Sequence, residues 1–124
     1  MRNYFSLRSV LAALLCLALT GIANAGEVPV VTGEHWTQAT EKEKKAFLLG
    51  MATIIMIEYN LQAKQAAPSE ATVVPELVEG LSGSTFEQVM SQVDAYYQAE
   101  PDQIKRPVVE TIWFEQVIPN LKAK

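Results

Sequence analysis

The sequence predicts an all-α protein: a small bundle of three main helices plus one short helix, arranged around a central apolar first helix. Three observations carry this. Thr40-Glu41-Lys42-Glu43 has the spacing of a capping box and stands before a proline-free run to about Ala66. Phe86, Val89, Met90, Val93, Tyr96 and Tyr97 mark one face of a second helix against Glu87, Gln88, Gln92 and Asp94. Pro107 suits the first position of a third helix, because proline lacks an N–H that a helix start would leave unbonded anyway.

The first helix is the least ordinary of the three. Ala46 to Ile57 is twelve residues without a charge, between Lys45 and Glu58. That is the length of a buried core helix and short of the roughly 20 residues that a membrane crossing takes. Phe47, Met51, Ile54, Glu58 and Leu61 share one stripe, with Leu48, Ile55 and Tyr59 beside it. A rod apolar on nearly every side is expected to be surrounded, with Gly50, Ala52 and Thr53 letting neighbours come close. Ile54 is therefore placed inside and Gln92 outside.

Gln65 to Ser84 reads as a connector punctuated by Pro68, Pro75, Gly80 and Gly83, with one short helix over Pro75–Leu81. Ser84-Thr85-Phe86-Glu87 repeats the capping-box spacing and starts the second helix at Thr85. That helix ends by Glu100-Pro101. The third runs from Pro107, turns Val108, Val109, Ile112, Trp113, Val117 and Ile118 inward, and is closed by Pro119. Ahead of the first helix, Glu27 to Gly33 and then Glu34-His35-Trp36 read as loop.

The amino terminus predicts export. Arg2 and Arg8 precede a short uncharged apolar run, and Ala23-Asn24-Ala25 has the small-residue pattern of a cleavage site, so residues 1–25 are expected to be a signal peptide directing the chain to the periplasm of a Gram-negative cell. Cleavage leaves Gly26 to Lys124, 99 residues, the size of one domain. The full chain carries −4; without Arg2 and Arg8 it has 8 Lys+Arg against 14 Asp+Glu. With no basic stripe to neutralise phosphates, nucleic acid is not an expected partner. The sole cysteine, Cys16, falls in the signal, so stability must come from apolar packing.

Little in the chain suggests catalysis. Metal sites need converging ligands, and His35 is the one histidine, so no metal or cofactor is expected. Nucleophilic catalysis needs an activating base and an oriented third group, and no triad can be assembled with the sole histidine; the serines sit in turn, cap or surface contexts. Gly80-Leu81-Ser82-Gly83-Ser84 lacks the lysine and the preceding strand of a phosphate loop. Glu58 interrupts the apolar helix and is the single acid–base candidate, but a partner such as Lys64 or Arg106, or plain exposure, explains it better. Tyr97 and Trp113 come from an aromatic group on the last two helices that suits partner anchoring. Glu58, Tyr97, Arg106 and Trp113 are accordingly the candidate partner contacts of a non-enzymatic binding protein. The oligomeric state is left open.

Trp36, the Glu41–Gly50 stretch "EKEKKAFLLG" and the Val93–Trp113 stretch "VDAYYQAEPDQIKRPVVETIW" together resemble the Tai type of small helical periplasmic protein, the immunity proteins of type VI secretion amidases. The resemblance covers about half of the exported chain. It implies a non-enzymatic secreted helical protein that acts by blocking or binding another protein. The alternative reading, a stress holdase or a carrier of an apolar ligand, rests on Met51, Met56 and Met90 as adaptable surface.

Overall fold

A computed structural model describes residues 29–65 and 71–123. The signal-peptide reading falls outside the described residues, as does Pro68. Helices dominate, in the order α1 (Gly33–Gln38), α2 (Glu41–Ala63), α3 (Val74–Leu81), α4 (Phe86–Ala99), a 3₁₀ turn (Pro101–Gln103), α5 (Val108–Ile112), a π-turn (Trp113–Val117) and α6 (Ile118–Lys122). The last three join into one rod over 108–122. The all-α class and the three long helices with a short one between them are as the sequence predicts.

Local chemistry explains most boundaries. Thr40 caps α2: its hydroxyl accepts from the Glu43 N–H at 3.3 Å, and the Glu43 carboxylate accepts from the Thr40 N–H at 2.7 Å. The second box lies one residue beyond the expected one. Thr85 and Gln88, not Ser84 and Glu87, exchange the two bonds. Both spacings were chemically possible, and Glu87 is otherwise engaged, its carboxylate 2.7 Å from the Lys45 ammonium.

Two expectations about breaks fail. Residues 34–36 are helix, not loop. Thr32 is the N-cap of α1, and His35 Nδ1 accepts from the Thr32 N–H at 3.2 Å, so an imidazole does the reciprocal work usually left to Glu or Gln. Pro119 does not close the last helix either. The preceding turn widens, with the Ile118 N–H reaching back to the Trp113 carbonyl, and this wider turn admits the ring that a regular α-turn would crowd against the carbonyl four residues earlier.

The core sits on α4 and the last rod. Val93, Val108, Ile112 and Val117 are fully buried, packed with Trp36, Leu48, Leu77, Val89, Met90 and Tyr97. Each such side chain contributes about 1.5–3 kcal/mol by leaving water. The amino-terminal strap closes one end. Thr32 bridges Pro107, the Val108 N–H donates to the Val31 carbonyl at 2.8 Å, and the Gly33 and Glu34 N–H groups donate to the Arg106 and Ile104 carbonyls. Gly33 must lack a side chain here, because a Cβ would run into the Tyr97 ring and lie 2.7 Å from the Ile104 carbonyl oxygen. At the other end Gly80 lets α3 approach the π-turn, where a Cβ would meet Val117 Cγ1 at 2.6 Å, and Asn120 Nδ2 donates to the Gly80 carbonyl at 2.7 Å.

The expected central position of the first helix is overturned. Of the 23 residues of α2 only Leu48 and Gln62 are buried. Ile54 is 66% exposed, and Leu49, Met56, Ile57, Tyr59 and Leu61 also face outward. The reason is geometric. A 23-residue helix is roughly 35 Å long, whereas α4, with 14 residues, spans roughly 21 Å and can cover one side of it only.

Candidate partner-binding surface

The inner side of α2 lies against α3 and α4, held by Leu48, Phe47, Met51 and Ile55, and by the ion pairs Lys44–Asp94 (2.8 Å) and Lys45–Glu87 (2.7 Å). Either side of this seam an apolar groove opens. The first, of about 290 Å³, runs between α2, α3 and the start of α4, with Met51, Ile55, Met56, Leu77, Leu81 and Phe86 among its lining residues. The second, about 490 Å³ and shallower, lies on the opposite flank, bounded by Phe47, Gly50, Ile54 and Val109. Phe86, expected on the packed face of its helix, is 37% exposed at the mouth of the first groove. By length and composition alone α2 is long and apolar enough to cross a membrane, and 6% of its most apolar 18-residue window is buried.

The four candidate contacts do not form one exposed surface. Tyr97 is 3% exposed, and its hydroxyl donates to the Arg106 carbonyl at 2.8 Å and lies 3.0 Å from Thr111 Oγ1, so it braces the core and offers no edge to a partner. Burial pushes its phenol above the usual tyrosine range, with the Thr111 hydroxyl pulling the other way. Arg106 lies over the rings of Tyr96 and Phe114, 5.2 Å from each centroid, while Nη1 donates to the Tyr96 hydroxyl at 2.6 Å and to Glu115 at 2.9 Å. Trp113 is half-buried against the core. Glu58 is exposed, and its partners are not the expected Lys64 or Arg106: Gln62 Nε2 donates to it at 2.8 Å and the Thr72 hydroxyl at 3.1 Å. It fastens the chain entering α3 to the side of α2.

The exposed side of α2 was missed by sequence reasoning because an unbroken apolar run has no polar stripe to say which side is wet. The signal that reveals it is a count of cover: one long rod, and too little helix elsewhere among the described residues to enclose it. Among the described residues no group of three or more His, Cys, Asp or Glu could hold a metal ion. In comparisons with protein-family models, curated proteins and solved structures, none matches this chain.

Proposed function

We propose that the protein is a secreted, periplasmic, non-enzymatic binding or inhibitory module, immunity-like in mode, which takes an apolar element of a protein partner into the groove between α2, α3 and the start of α4. The observation that carries this is the groove itself: about 290 Å³, walled by Met51, Ile55, Met56, Leu81 and Phe86. Methionines suit such a role because their unbranched side chains repack around different shapes. Short helices and aromatic anchors are the usual occupants of such grooves. The acidic excess of the chain favours a basic partner, by steering encounter more than by tightening the complex.

Affinity capture from envelope extract tests it, using the wild type and Val78→Glu, which sets a carboxylate in the groove wall. One stoichiometric protein bound by the wild type and lost by the variant is the expected result. Equal capture by both would overturn the groove as the site. The same apolar lining and volume favour a second reading, a carrier of an apolar ligand, since ligand pockets begin at about 300 Å³. Lipid co-purifying with the wild type and absent from Val78→Glu would select it.

A further inference from the structure

We infer that the outward face of α2 is a dimer interface, covered by the same face of a second copy in antiparallel two-fold packing. This goes beyond the groove reading and uses the opposite flank of the helix. Leu49, Ile54, Ile57, Leu61 and the neighbouring Val109 are between 44% and 66% exposed, and Ala46, Gly50 and Thr53 lie exposed among them. The strip amounts to roughly 600 Å² of apolar surface, at the top of what an ordinary monomer leaves bare and close to the roughly 800 Å² each partner gives to a stable interface.

The side chains on this strip are self-complementary. A two-fold axis between Thr53 and Ile54 sets Ile54 of one copy level with Thr53 of the other, Ile57 with Gly50 and Leu61 with Ala46, so a large residue meets a small one in these three layers. A Cβ added at Gly50 meets nothing within 4 Å in the monomer, which leaves that position open to an incoming side chain. Charge fixes the register. The same axis brings Glu43 opposite Lys64 at both ends, whereas a slip that centres the axis on Thr53 would oppose Lys42 to Lys64. A lipid covering fits less well: the uncharged stretch from Ala46 to Ile57 spans roughly 18 Å, against the roughly 30 Å of a bilayer core, and Lys44 and Lys45 are bonded to α4 at one end of it.

Sedimentation equilibrium on protein purified from cells expressing the full chain, without detergent, should return a dimer. Gly50→Arg should return a monomer with unchanged helical circular dichroism, and should still bind the groove partner, which separates this inference from the groove reading. Lys64→Glu should weaken the dimer about tenfold, two pairs being lost by symmetry. In a Cys16→Ser background, Thr53→Cys should form a disulfide-linked dimer under mild oxidation while Ser91→Cys on α4 does not. A wild type that stays monomeric at 100 µM, a dimer that survives Gly50→Arg, or equal cross-linking at positions 53 and 91 would each overturn the proposal. So would a monomer that partitions into phosphatidylethanolamine–phosphatidylglycerol vesicles, since lipid would then be the cover.

Discussion

The indole Nε1 of Trp36 donates to the Asp94 carboxylate at 2.7 Å, and this one bond ties the first short helix to α4 across 58 residues of sequence. Lys44 completes the arrangement. Its ammonium meets the same carboxylate oxygen at 2.8 Å and lies 5.4 Å from the Trp36 ring centroid, so three helices are joined at a single acid. Trp36 is 1% exposed, with Phe47 set edge-on against it. Trp36→Phe keeps most of the apolar contact and removes the donor. The expected cost is about 1–3 kcal/mol in urea denaturation, and Asp94→Ala should cost more because it also strands Lys44.

Glycines at two positions should respond with opposite sign. Gly33→Ala forces a methyl into the Tyr97 ring and the Ile104 carbonyl, and should lower stability by about 2–4 kcal/mol. Gly50→Ala adds a methyl in open space inside a long helix and should raise it by about 0.5–1 kcal/mol, through helix propensity. Thermal melts of the two variants beside the wild type, at concentrations where the chain is monomeric, check both signs.

The stability profile should fall at both ends of the pH scale. On the alkaline side the Tyr97 phenol is raised by burial, so the folded state favours its protonated form. Its contribution is complete below the unfolded value near 10 and is lost as pH climbs through the folded one. Tyr97→Phe should be less stable at pH 7, having lost two hydrogen bonds, yet decline less between pH 9 and 11. On the acid side Glu43 is lowered by the Thr40 backbone and hydroxyl, and Glu87 by its bond to Lys45. Their contributions are present above about 4.5 and disappear as pH drops through the depressed values. Glu43→Gln, which can still accept from the Thr40 N–H, should flatten the acid limb.

Surface and core positions on the two sides of the bundle should separate cleanly. Ile54→Asp, measured where the chain is monomeric, should change unfolding free energy by less than about 1 kcal/mol, like Gln92→Asp, because both sites are wet. Ile112→Asp, at a position with no exposure, should cost several kcal/mol or abolish folding. An Ile54→Asp monomer as damaged as Ile112→Asp would contradict the placement of α2.

The helical class, the capping of α2 by Thr40 and Glu43, the apolar face of α4 and, to within one residue, the start of the last rod were legible in the sequence, Pro107 being the N-cap of that rod and not its first helical residue. Each depends on residues a few positions apart, and hydrogen bonding and 3.6-residue periodicity act over that range. What only the tertiary structure decided was which apolar surfaces become core. The run from Ala46 to Ile57 looks the same from every side, so its burial depended on whether the other helices were long enough to surround it, and they are not. For the same reason Tyr97 passed from candidate contact to core brace. Its place was set by Gly33, from the far end of the chain, and by Arg106 and Thr111, 9 and 14 residues on, none of which its own helix periodicity encodes.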